Sequence, residues 1–198
     1  MSILYVLKPQ KDRALRSICS ILRSLGLTPN MVTASGLLLS VVASMAAMSG
    51  HLYAGIFLFI TGACFDALDG SLARYSGHCT EFGRYFDSIC DRLSEIVFIV
   101  GAVAGGVSIS AFLVIGGSLA LLASRIYNHA KGLHSNAAMF GRPERLTLLI
   151  LGLVSPTPYG TLFFMLAGIL CAISSLQVLV SGIRTHKPSE SKKLLIGN

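Results

Sequence analysis

No Asp, Glu, Lys or Arg occurs between Arg23 and Asp66, and that gap confines the chain to one kind of fold. It holds one segment of about 20 mostly apolar residues, the length of an α-helix that crosses a bilayer, and the apolar first part of a second. In hydrocarbon every backbone N–H and C=O must bond within the protein, so such segments become helices and not open strands. "TPNMVTASGLLLSVVASMAAMS" is the first, with Thr28 placed as N-cap and Pro29 at the first helical position. The second runs from Tyr53 to Tyr75. A third starts near Phe82 with polar first turns and turns apolar through "IVFIVGAVAGG". Ser108 to Ser124 and Tyr159 to Ile183 supply two more. "RPERLTLLILGLVS" is short for a span, and its length alone also fits a buried or re-entrant helix. Only 13% of the residues are charged, about half the share of a soluble domain, as a polytopic membrane protein requires.

Charge placement favours a crossing for the short segment. The chain then has six spans, and its first, third and fifth connections ("GH", "GGVS", "SPTP") carry no Lys or Arg. All 16 basic residues fall at the N-terminus, in the two even connections with their helix ends, and in the C-terminal tail. The positive-inside rule puts both termini and the even connections at the cytoplasmic face. The expected fold is an all-α integral membrane protein of six transmembrane helices. Residues 1–27 form a cytoplasmic juxtamembrane segment, 28–184 the transmembrane domain, and 185–198 a cytoplasmic tail. Leu15, Ile18, Ile21 and Leu22 recur at helical spacing among Lys11, Arg13, Arg16 and Arg23, which predicts an amphipathic helix on the membrane surface. The net charge of +7 is read as an orientation signal that also attracts anionic lipid. No nucleic-acid-reading motif accompanies it. The five cysteines form no C-x-x-C pair and the five histidines no metal set.

Against this apolar background stands "FDALDGSLARYSGHCTEFGRYFDSICDRLSE". At 100° per residue Asp66, Asp69, Gly70 and Ala73 share one helix face, and Asp87 and Asp91 lie one turn apart on the next helix, with Gly83 a turn earlier. The tight turn "SGHCT" makes the two helices antiparallel neighbours, so four carboxylates converge near their cytoplasmic ends. Each charge costs roughly 2.5–3.5 kcal/mol in a membrane helix, and four repel one another. Arg74 and Arg92 offset two of them. Divalent cations bound through oxygen would supply the rest, and a set without Cys or His suits Mg²⁺ or Mn²⁺. Four aspartates suffice for two ions, as in phosphoryl chemistry. Gly70, Ala73 and Gly83 clear room for a nucleotide beside the backbone. Intramembrane acids also serve as hydrogen-bonding links between helices or as relays in an ion-coupled transporter. Convergence of four weighs against the first, and the absence of a broken-helix or inverted-repeat pattern weighs against the second. Glu95, one turn beyond Asp91, is placed to orient Arg92 or an outer-shell water, or simply to pair with a neighbouring cation.

The run Asp66-x₂-Asp69-Gly70-x₂-Ala73-Arg74-x₈-Gly83-x₃-Asp87-x₃-Asp91 resembles the signature of the CDP-alcohol phosphotransferase family, with all its fixed positions and both gaps intact. The resemblance implies six transmembrane helices, usually in a homodimer, with a site for two Mg²⁺ or Mn²⁺ ions at the cytoplasmic membrane boundary. It implies Asp66, Asp69 and Asp87 as metal ligands, and Asp91 as a ligand or as the base toward the acceptor hydroxyl. Gly70, Ala73, Arg74 and Gly83 would hold the CDP portion of a CDP-linked lipid, whose phosphoryl-lipid group passes to a polar alcohol as CMP leaves.

Arg125, Lys131, Arg142, Arg145 and Arg184 lie at the cytoplasmic helix ends. Each alone reads as a positive-inside residue; together they also suit a phosphate already on the acceptor. "GRPERL" is similar to the Arg-Pro-Glu-Arg stretch of the branch that makes phosphatidylinositol-phosphate or archaetidylinositol-phosphate, which implies inositol phosphate. Glycerol phosphate is the alternative acceptor, then serine, and a soluble CDP-inositol donor is a further option.

Overall fold

The computed structural model describes residues 17–77, 80–131 and 140–186, apart from the side chains of Glu81, Arg84 and residues 183–186. Every regular element among the described residues is helical: α1 (Pro29–Met48), α2 (Leu52–Ser76), α3 (Glu81–Ala104), α4 (Phe112–Ala130), α5 (Arg142–Val154) and α6 (Tyr159–His186). Residues 17–24 are helical as well, and a 3-10 turn, Ile109–Ala111, leads into α4. Residues 1–16, His78, Cys79, 132–139 and 187–198 lie outside the described residues. So do the first half of the expected amphipathic segment, part of the "SGHCT" turn and nearly all of the C-terminal tail.

Among the described residues, four segments are long and apolar enough to cross a membrane: Pro29–Met48, Leu52–Ser76, Ile109–Ala130 and Tyr159–Gly182. α3 has the length but opens on charged turns. α5, with 13 residues, reaches about 20 Å against a hydrocarbon thickness of about 30 Å. Leu38, Val42 and Met45 on α1, and Leu162, Ile169 and Ile173 on α6, are exposed. Apolar faces of this extent fit contact with lipid and not with water. The protein is an all-helical integral membrane protein.

The chain divides into two compact units, one holding α1 to α3 and the other α4 to α6. In the first, Thr28 caps α1 as its sequence predicts, its side chain accepting the Met31 N–H at 3.3 Å, with Pro29 in the first turn. α1 packs on both α2 and α3 through small residues. A Cβ at Gly36 would lie 3.1 Å from the Gly62 carbonyl oxygen, and one at Gly101 only 2.1 Å from Ser44 Oγ. Ser44 Oγ donates to the Val97 carbonyl at 2.8 Å, tying α1 to α3. Phe59 of α2 stacks on Phe98 of α3 with ring centroids 4.3 Å apart. Cys19, in the helical stretch 17–24, is buried with Val32 and Leu72, and Leu22 packs beside them while Ile18 and Ile21 stay exposed. One side of that stretch therefore belongs to the protein core.

In the second unit α6 packs on both α4 and α5. Gly117 of α4 lies so close to Cys171 of α6 that a Cβ there would come within 2.6 Å, and Gly152 of α5 meets the Phe164 ring in the same way. α4 continues to Ala130, past the end of the apolar run at Ser124. Its buried face explains why. Ser118, Leu121, Ser124 and Asn128 are buried together, and Asn128 Nδ2 donates to the Val178 carbonyl of α6 at 2.7 Å. Polar side chains bonded to a neighbouring helix let α4 outlast its hydrophobic stretch.

Candidate active site

Asp66 and Asp69 project from one face of α2 and Asp87 from the first half of α3, as helical spacing predicts. One carboxylate oxygen of each lies within 4.8 Å of the others. Asp69 is buried, and Asp66 and Asp87 are half-buried. Three like charges so close cannot all stay ionised without a compensating cation. The donor set is three carboxylates with no sulfur or imidazole, which fits a hard divalent ion such as Mg²⁺ or Mn²⁺. Asp91, one turn further along α3, is half-buried and stands outside this group of three.

Sequence reasoning missed the contribution of α1. Thr33 Oγ1 donates to Asp69 Oδ2, and the same hydroxyl is 3.1 Å from the Pro29 carbonyl. Thr33, Gly36 and Ser40 are buried together at helical spacing. That stripe of small and polar residues was readable in the sequence, but its partner on another helix was not.

The small residues of the motif have different local roles. A Cβ at Gly70 would meet nothing nearer than the flexible end of Arg74 at 3.5 Å, so the backbone there is open to a ligand. Gly83 sits in the first turn of α3, where its N–H donates to Thr80 Oγ1 at 3.0 Å. A Cβ at Gly83 would press on that same oxygen at 3.0 Å and lie 3.7 Å from Asn30 Oδ1, so the cap alone gives a reason for glycine. Ala73 is half-buried, and the exposed Arg74 donates from Nη2 to Ser71 Oγ at 3.3 Å. Arg92 Nη1 lies 3.8 Å from Glu95 Oε2, both side chains largely buried, an ion pair within one helix.

The basic residues lie in the second unit. Arg145 is completely buried, on the α5 stripe that also buries Leu149, Gly152 and Leu153. Arg125, near the end of α4, is exposed. Arg142 is half-buried in the first turn of α5, where the Gly141 N–H donates to Glu144 Oε2 at 3.0 Å. Lys131 is exposed, with Nζ 5.8 Å from the centroid of the Tyr127 ring. The Arg184 side chain lies outside the described residues.

A family model described as CDP-alcohol phosphatidyltransferase matches residues 26–185. The archaetidylinositol phosphate synthase of Pyrococcus horikoshii is 41% identical over 101 residues, which are 50% of this chain and 53% of that protein. The phosphatidylinositol phosphate synthase of Mycobacteroides abscessus is 33% identical over 153 residues, 72% of this chain and 69% of that one. The matched stretch thus spans about half to two thirds of these relatives. Two crystal structures of the Mycobacterium tuberculosis phosphatidylinositol phosphate synthase share the fold. The one with CDP-DAG bound has a TM-score of 0.74 and 27% identity, covering 86% of this chain and 94% of that one. The one in complex with manganese and citrate has a TM-score of 0.73 and 27% identity, covering 84% and 87%.

Proposed function

Because the chain belongs to the CDP-alcohol phosphatidyltransferase family, we propose that it moves the phosphoryl-lipid group of CDP-diacylglycerol or CDP-archaeol onto a hydroxyl of inositol phosphate, releasing CMP. The observation that carries this reading is the convergence of Asp66, Asp69 and Asp87 within 4.8 Å inside an apolar helix bundle. These three would hold two divalent ions, with Asp91 completing the set or acting as base. Bound Mg²⁺ or Mn²⁺ would supply positive charge to the donor's pyrophosphate and to the departing CMP.

The remaining work falls to the chain. Thr33 fixes the orientation of Asp69 through its hydroxyl. The open backbone at Gly70, with Ala73, Arg74 and Gly83, holds the CDP portion. Asp91 takes the proton of the acceptor hydroxyl, whose oxygen attacks the β-phosphorus. The bond from that phosphorus to the oxygen bridging to CMP breaks, and CMP leaves with the electron pair. Arg125, Lys131, Arg142, Arg145 and Arg184 hold the phosphate already on the acceptor. Complete burial of Arg145 supports this, since a guanidinium taken out of water gains from charge-assisted bonds to an anion.

Residues 28–184 form the catalytic domain in this reading, between a cytoplasmic juxtamembrane segment and a cytoplasmic tail. α3 and α5 cross the membrane with the four apolar segments, giving six spans and placing both termini and the site at the cytoplasmic face. The absence of Lys and Arg from "GH", "GGVS" and "SPTP" supports it. The helical stretch 17–24 belongs to an amphipathic helix on the membrane surface, and the family resemblance favours a homodimer. CMP release from CDP-diacylglycerol and CDP-archaeol, measured with inositol phosphate, glycerol phosphate, serine and free inositol, tests the function. Inositol phosphate should be the best acceptor. No CMP from any pair overturns the transferase reading, and preference for an unphosphorylated alcohol overturns the phosphate site.

A further inference from the structure

Two consecutive buried serines in the middle of α6 make polar links from that helix to α4 and to the chain entering α5, beside the Asn128 bond to Val178. Ser175 Oγ is bonded to Ser124 Oγ of α4 and lies 3.3 Å from the Ala120 carbonyl. Ser124 Oγ in turn lies 2.8 Å from that carbonyl. The protons balance when Ser124 donates to Ala120 and Ser175 donates to Ser124. Ser174 Oγ accepts the Phe140 N–H at 3.1 Å, immediately ahead of α5. Each link lies close in sequence to a basic residue. Arg125 directly follows Ser124. Phe140 and Gly141 lead into Arg142 and Arg145, and the Arg145 N–H donates back to the Gly141 carbonyl at 3.3 Å.

Through these links α4 and the chain entering α5 are bonded to the same turn of α6, so one helix holds the backbones that carry Arg125 and Arg145. In a hydrocarbon surround these links have no water to replace them, so each is more selective than a surface hydroxyl bond. We propose that Ser174 and Ser175 are positioning residues for the acceptor site. They set the separation of Arg125 from Arg145 so that both guanidinium groups meet one phosphate monoester. The inference rests on the reading of those arginines as the acceptor-phosphate site.

The test compares Ser174→Ala, Ser175→Ala, Ser174→Thr and Arg145→Gln in the full-length enzyme in lipid nanodiscs. Steady-state CMP release gives KM for donor and acceptor separately, and competition by inorganic phosphate reads the same site without turnover. Losing one such bond should raise the acceptor KM and the inhibition constant of phosphate about threefold to tenfold, with donor KM and kcat moving less. Ser174→Thr keeps an acceptor oxygen in place and should restore most of the loss. If the two alanine variants fold but leave acceptor KM and phosphate inhibition unchanged while Arg145→Gln shifts both, the serines are only structural. An Arg145→Gln enzyme with unchanged acceptor KM instead removes the phosphate site and this inference with it. Equal losses for donor and acceptor in the serine variants also overturn the proposal, since they mean general disorder of the bundle.

Discussion

Asp69 is buried on α2, yet the hydroxyl that orients it comes from α1. A carboxylate held in this way has little freedom to turn its free oxygen from the position shared with Asp66 and Asp87. Asp66→Asn, Asp69→Asn and Asp87→Asn should each lower CMP release by about a hundredfold or more, because stabilisation by a bound divalent ion amounts to several kcal/mol. Mn²⁺ binding followed by electron paramagnetic resonance should weaken in the same variants. Asp91→Asn should abolish turnover but keep more of the Mn²⁺ signal, as its place outside the group of three suggests. Near-normal CMP release in any two of the three ligand variants defeats the assignment. These carboxylates were legible in the sequence because 100° per residue fixes which side chains share a face. Thr33 was not, since its partner lies on another helix and no local periodicity encodes that pairing. Arg145 falls between the two cases. Its spacing from Leu149 and Leu153 marks a buried stripe, but as one of several basic residues at helix ends it also reads as a topology signal.

Among the helices, packing and not hydropathy decides the boundaries and the fit. α4 shows this most clearly, running past its apolar segment because Asn128 is bonded to α6. α1 began where its cap signal put it, since Thr28 and Pro29 act through local geometry alone. The contact of α1 with α3 is closer than any side chain allows at Gly101, where a Cβ would stand 2.5 Å from the Ser44 carbonyl oxygen. Gly101→Ala should therefore destabilise the protein by about 1–3 kcal/mol by forcing the helices apart. Gly116 on α4 offers the control, because a Cβ there meets nothing within 4 Å. Gly116→Ala should leave the thermal unfolding midpoint in detergent unchanged or slightly higher. Equal midpoints for both variants would show that α1 and α3 do not pack as described.

At the scale of the whole chain, six crossings put the first and fifth connections on the face opposite the second. Single cysteines placed at His51, Lys131 and Thr157 in a cysteine-free background separate the possibilities. An impermeant thiol reagent should reach Lys131→Cys only from the cytoplasmic side, and His51→Cys and Thr157→Cys only from the other. Labelling of Thr157→Cys from the cytoplasm would mean that α5 turns back without crossing. The charged turns of α3 bear on how the protein is made. Asp87, Asp91, Arg92 and Glu95 burden a helix that otherwise has the length to span, each costing up to about 2.5–3.5 kcal/mol when moved into lipid from the translocon. Arg92 and Glu95 pair within the helix, but the Ser44 bond to the Val97 carbonyl forms only once α1 is beside it, and the metal site with Asp87 only once α2 is. α3 should therefore be a poor insertion signal alone and a good one as the third member of a set. A glycosylation site fused after Gly106 in a chain ending there should be modified when α1 precedes it, and far less when α1 is replaced by a plain leucine–alanine helix. Equal glycosylation of the two would mean that α3 enters the membrane unaided. On the expected outcome, the residues that make the site also make its helix dependent on those synthesised before it.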